Sequence, residues 1–240
     1  LVDSDPDSSD THTFQLASDT AEGGVTVDSA TGAYSFDPGS DFQDLAVGET
    51  RDVTFTYTVT DNSGAANAAS DPQTVTITII GTNDAPAITA GPDTVSLNET
   101  NAALTTSDSF TVTDVDTTDV VTASRTLVVS GTSNRSDPAA PSDDALLAMF
   151  TVSPTTILDG STNTATLNWD FHSGAELFNY LATGESLILT YTVTATDDHA
   201  AQASDTETVT ITIIGTNDAP VLTDGPDSIA PTKAVAWGGN

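Results

Sequence analysis

Apolar residues in this chain alternate with threonine at a period of two. Phe55, Tyr57 and Val59 stand between threonines, as do Val75 and Ile77, with Ile79 in step, and later Leu187, Leu189, Tyr191 and Val193 keep the same period, the last two again between threonines. Successive side chains of a strand point to opposite faces, so this pattern predicts antiparallel strands with one apolar face and one threonine face. Turn signals separate the runs: DSATG at Asp28 to Gly32, DNSG at Asp61 to Gly64 and LDGS at Leu158 to Ser161. Helical periodicity is weak, and only Asp144 to Phe150 and Glu176 to Leu181 offer a turn or two, expected as loop helices. The prediction is an all-β chain of tandem antiparallel β-sandwiches, Ig-like in layout and joined end to end. Trp169 alternates with Leu167 and Phe171 in TLNWDF, which predicts a core residue and not a sugar platform.

The strand pattern occurs twice. Thr56 to Pro86 lies without gaps over Thr190 to Pro220, an offset of 134 residues with 22 of 31 positions identical. The offset also carries AITAGPDTVS, from Ala87, onto VLTDGPDSIA, from Val221. A tandem array follows. Its expected parts are a shortened first sandwich at 1–81, a linker at 82–86 and a second sandwich at 87–215 with an insertion at about 118–166. A second linker at 216–220 and the start of a third copy or a tail at 221–240 complete it. Each linker is a polar tetrad closed by proline, which stops the last strand and is too short for a flexible tether.

Charge narrows the function. The 35 acidic residues are 29 Asp and 6 Glu, against only Arg51, Arg125, Arg135 and Lys233. Such a surface cannot track a phosphate backbone or an anionic bilayer, which argues against nucleic acid and direct membrane insertion as partners. No cysteine occurs, so stability rests on packing or on hard cations. Short Asp in loops suits calcium, and a solvated, salt-adapted surface is the alternative. His12, His172 and His199 are scattered and read as surface or strand residues. No nucleophile elbow, phosphate loop or dinucleotide fingerprint occurs, so no catalytic residue is expected and the chain reads as not an enzyme.

The motif GTNDAP, preceded by VTITII and by YTVT before an Asp-bearing turn, resembles the VCBS repeats and bacterial cadherin-like domains of large secreted adhesins of the RTX type. GAELFNYLATGESLILTYTVTATDDHAA extends the likeness. The resemblance implies Ca2+ at the junctions between repeats. Carried over residue by residue, it assigns Asp61, Asn83, Asp84, Asp114 and Asp116 to one junction. Glu99, Asp197, Asp198, Asn217 and Asp218 go to the next, where the matching acids of a third copy are missing. Asp3 and Asp5, and with them Asp10, form the receiving half of a preceding junction. One departure stands out: where the first copy has Asp61 and Asn62, the second has Ala195 and Thr196, with its acids two places later.

The same resemblance implies an extracellular spacer on a bacterial cell surface or in a secreted protein, exported by type I secretion and serving cell adhesion or biofilm. Neighbouring repeats are the implied partners, in a monomeric chain that projects a distal binding domain toward a surface glycan or protein. Two alternatives remain open at this point: a calcium-dependent carbohydrate- or protein-binding module centred on 118–166, and an accessory module of a large secreted hydrolase.

Overall fold

The computed structural model describes residues 1–7, 9–65, 68–199 and 203–220. The segment 221–240, with Trp237, lies outside the described residues. The first copy contains β1 (His12–Ser18), β2 (Gly24–Val27), β3 (Tyr34–Asp37), β4 (Thr50–Asp61) and β5 (Gln73–Ile80). One sheet has the order β1-β4-β5 and β2 pairs with β3 in a hairpin. The second copy contains β6 (Ala87–Thr89), β7 (Asp93–Asn98), β8 (Thr105–Thr113) and β9 (Val120–Gly131), then α1 (Asp143–Ala148). It continues through β10 (Phe150–Ser153), β11 (Thr156–Asp159), β12 (Thr164–His172), β13 (Ser186–Thr196) and β14 (Ser204–Ile214). Its two sheets run β10-β12-β8-β6 and β11-β9-β13-β14-β7, and the all-β, sandwich expectation holds.

The alternating pattern does in the second copy what a half-buried strand should. Leu187, Leu189, Tyr191, Val193 and Ala195 of β13 are fully buried, while the intervening threonines face outward. Trp169 is buried with them, and its indole N–H donates to Asp93 Oδ2 at 2.8 Å. Phe150 stacks against both Trp169 and Tyr191, with ring centroids 5.7 and 4.3 Å away.

The segment 118–166, expected as an insertion, is woven into the second sandwich. It supplies β9, α1, β10, β11 and the start of β12, and β9 pairs with β13 from Leu187↔Gly131 to Thr196↔Thr122. In the first copy β1 holds the same place beside β4. The two segments differ too much in sequence for the repeat to be seen there, although they do the same structural work.

Of the two expected loop helices, one forms. Ser142 caps α1 by accepting the Ala145 N–H at 3.2 Å, and Asp143 and Asp144 occupy its first turn. Glu176 to Leu181 makes turns instead. Glu176 Oε1 accepts the Phe178 N–H, and Phe178 adopts φ 59°, a left-handed conformation that ends any helical run.

The exit from each copy is clasped in the same way. Gly81 donates to Glu49 O and Gly215 to Glu185 O, both at 3.0 Å. A Cβ at Gly81 would overlap the carbonyls of Leu45 and Ala46, and one at Gly215 that of Ala182. The glycine of GTNDAP is therefore demanded by close backbone approach, and the clasp sets the direction in which the linker leaves.

The copies differ in how completely the last strand is covered. Val209, Ile211 and Ile213 are fully buried, and β14 lies between β13 and a parallel β7. Val75, Ile77 and Ile79, at the same repeat positions, are only half-buried, because β5 pairs with β4 alone. Ile211→Ala is expected to cost about 2–5 kcal/mol, the range for truncating a packed aliphatic core residue. Ile77→Ala should cost about half of that or less. Denaturant unfolding with segment-resolved hydrogen exchange checks this, and equal losses at the two sites would contradict it.

Candidate metal centre

Strand direction decides which loops meet the linker 82–86. β6 enters from it and β8 returns antiparallel, with Ala87 opposite Thr113, so the turn after β8 arrives beside the linker. β7 and β14 are parallel and run away from this end, and β13, antiparallel to β14, comes back to it. Residues 114–119 and 197–199 thus share one pole of the second copy with Asn83 and Asp84.

The contacts follow that geometry. Asn83 Nδ2 donates to Asp197 Oδ2 at 2.9 Å and the Asp84 N–H to Asp116 Oδ2 at 2.7 Å. Asp114 Oδ1 accepts the Asp116 N–H at 3.1 Å, an Asx turn that folds TDVDTTD back on itself. Asp114, Asp116, Asp119 and Asp197 are at most 4% exposed. Ligand atoms of Asp114, Asp116 and Asp119 lie within 4.8 Å of one another. At this pole five buried oxygens have no hydrogen-bond partner among the described residues: Asn83 Oδ1, Asp114 Oδ2, Asp116 Oδ1 and both of Asp119.

Buried polar oxygens are ordinarily satisfied, and neighbouring carboxylates in a region of low dielectric repel strongly. Burial raises the Asp114 carboxyl to about 6, and the charges of Asp119, Asp116 and Asp197 push the same way against one hydrogen bond from Asp116. Asp116 and Asp119 are also raised, first by burial; the charge of Asp84 adds to the first, and His199 opposes the rise of the second. A hard divalent cation resolves all of this at once, since oxygen-only donors in an Asp-rich loop are what calcium takes. The residues present fit it.

The expected groupings need two corrections. Asp61 does not join Asn83. It ends β4 at the opposite pole of the first copy, where its ligand atoms lie within 4.8 Å of those of Asp5 and Asp10. Asp197 and Asp198 do not join Asn217 and Asp218 either, since they follow β13 and stand at the first junction. Both errors share one cause: a penultimate strand runs antiparallel to the last, so its end returns to the pole at which its own copy is entered. Asp114 and Asp116 sit at the first junction with Asn83 and Asp84, as expected. Glu99 does lie at the far pole, where its Oε1 accepts the Thr216 N–H at 2.8 Å and the Thr216 hydroxyl at 3.0 Å, next to Asn217 and Asp218. Asp3 and Asp5 flank His12, with Asp5 Oδ2 3.2 Å from Nε2 and Asp3 in contact with Nδ1.

Two residues went unnoticed in the sequence. Asp119 is the last acid of TDVDTTD, three places after Asp116, and that spacing was its available signal. His199, set aside as scattered, has Nδ1 3.0 Å from Asp119 Oδ2.

Residues 1–81 match the family model described as bacterial cadherin-like domain, about a third of the chain. No curated protein matches the sequence. Among solved structures, human CDH23 EC21-23 aligns with 85% of this chain at 13% identity and a TM-score of 0.47, and the chain spans 58% of it. Drosophila N-cadherin EC1-4 aligns with 89% at 17% identity and a TM-score of 0.41, and 44% of it is spanned. Mouse Cadherin-23 EC22-24 aligns with 85% at 19% identity and a TM-score of 0.40, with 53% spanned. Among the described residues no helix is long and apolar enough to cross a membrane.

A raised carboxyl penalises the ionised form in the folded state. Its contribution favours folding below the ordinary value of 3.8 and is lost as pH rises toward about 6 for Asp114. With divalent ions chelated, the melting temperature should fall as pH rises through that window. Asp114→Asn should flatten the fall and be the more stable form at neutral pH in chelator, as thermal melts would record. A melt that is flat in the parent, or falls equally in the variant, would show that Asp114 carries no such penalty.

Proposed function

We propose that this chain is an extracellular spacer in which calcium stiffens the joint between β-sandwich repeats, as part of a larger cell-surface or secreted adhesin. The observation that carries the reading is the set of unpartnered buried oxygens on Asn83, Asp114, Asp116 and Asp119 where the linker enters the second copy. Asp114, Asp116 and Asp119 would hold the ion, with Asn83, Asp84 and Asp197 around them. The ion supplies the positive charge these groups lack.

The chain's own residues do the rest. Asp116 and Asp197 already grip the linker through the Asp84 N–H and the Asn83 amide. Their orientation depends on the two turns staying together, and mutual repulsion drives those turns apart. Neutralising the cluster therefore closes a loop–linker–loop clamp, and a joint free to bend becomes one held at a fixed angle. Sites of the extracellular kind, with dissociation constants on the order of 10⁻⁴ to 10⁻³ M, would be empty in a cytosol and filled outside it. Binding to the folded state alone also raises stability by mass action. Asp5, Asp10 and Asp61 at the entry pole of the first copy, and Glu99 with Asn217 and Asp218 at the exit of the second, are read as parts of further joints.

Small-angle scattering of the full chain in calcium and in chelator tests this. Calcium should lengthen the particle and raise its melting temperature, and Asp114→Asn with Asp116→Asn should abolish both changes. Asp61→Asn, at the other pole of the first copy, should leave the lengthening intact. If shape and stability ignore calcium, the acids are a solvated surface and the joint is not calcium-controlled.

A further inference from the structure

Asp119 belongs to two groups. On one side its ligand atoms lie within 4.8 Å of those of Asp114 and Asp116, and on the other within 4.8 Å of those of Asp198 and His199. It is 1% exposed, and neither of its oxygens has a hydrogen-bond partner among the described residues. His199 Nδ1 is likewise buried and has no hydrogen-bond partner among the described residues, lying 3.0 Å from Asp119 Oδ2 and 3.6 Å from Asp198 Oδ1. The third donor is held in place: Asp198 Oδ1 accepts the Val120 N–H at 3.1 Å. The turn bearing the imidazole is fixed by the His199 N–H, which donates to Asp197 Oδ1 at 3.0 Å.

A wholly oxygen seat suits calcium, whereas imidazole nitrogen beside carboxylate suits first-row divalent ions. We infer that Asp119, Asp198 and His199 form a second metal seat at this junction, for a first-row divalent ion of the zinc class, with Asp119 shared between it and the calcium seat. Three protein donors leave the remaining position of a tetrahedral ion to water, as an accessible turn allows. His199 keeps about a quarter of its side chain exposed, which gives the ion a way in. The inference goes beyond the spacer reading. It relies on that reading only for the neighbouring ion, and the two fail separately.

The test is calorimetric titration of the full 240-residue chain with zinc, first without calcium and then in saturating calcium, which fills the oxygen seat. Zinc should still bind in calcium. His199→Ala should weaken it at least about tenfold, the loss that even an outer-shell change at a metal site produces. His12→Ala, which removes the other imidazole lying among acids, should leave zinc affinity unchanged. The ¹⁵N resonance of His199 Nδ1 should shift on zinc addition. No zinc binding, zinc binding only in the absence of calcium, or binding untouched by His199→Ala would each overturn the inference, the last leaving His199 as no more than a charged neighbour of Asp119. Zinc binding at His199 in a chain whose shape ignores calcium would overturn the spacer reading and leave this seat standing.

Discussion

The constraint on which this molecule turns is the burial of several like charges where two repeats meet. Asp114, Asp116, Asp119 and Asp197 are shut from solvent beside a linker that has no secondary structure of its own. Buried carboxylates without counter-charge are among the costliest things a fold can hold. The surrounding sandwich can hold them because it is itself well packed, with the aromatic stack of Phe150, Tyr191 and Trp169 filling the layer between its sheets. Cost is concentrated at the joint and stability in the body.

Antiparallel pairing makes the arrangement possible. A turn after β8 and a turn after β13 are about 80 residues apart in sequence, yet each must return to the pole at which the chain enters. At the opposite pole the Gly-Glu clasp ties Gly81 or Gly215 to the preceding turn and aims the linker outward. One end of a copy launches the chain and the other end receives it. The linker needs only the Asn83 amide and the Asp84 N–H to be caught.

The fold was largely legible because period-two alternation and the 134-residue repeat are written in consecutive positions. Trp169 could be placed in the core from its neighbours alone. Within 118–166 the strand β9 was not legible as a repeat of β1, because the two do the same work beside β13 and β4 with no shared sequence: a central strand needs the right alternation, and many sequences supply it. The site was legible in composition but not in grouping. Asn83, Asp84, Asp114 and Asp116 assemble as expected, since linker and following turn are close in the chain. Asp61 and Asp197 were assigned to the wrong poles because their place depends on which way a distant strand runs. Asp119 carried a local signal in its spacing from Asp116, but its meeting with His199 spans a separation no local pattern covers.

The two-residue shift between the copies then acquires a physical meaning. Asp61 is the last residue of β4, whereas Asp197 and Asp198 fall just past β13, in the turn itself. A residue on the strand is bound to the pleat and presents its side chain to one face. A residue in the turn is free of that restriction, so Asp197 can reach the Asn83 amide while Asp198, next in sequence, is turned to the Val120 N–H. Moving the acids off the strand is what lets one short turn face the linker with one carboxylate and the β8–β9 loop with another. His199 follows in the same turn and meets Asp119 from that side. The penultimate strands β4 and β13 thus each return their acids to the entry pole of their own copy, but with different side chains in the turn that follows.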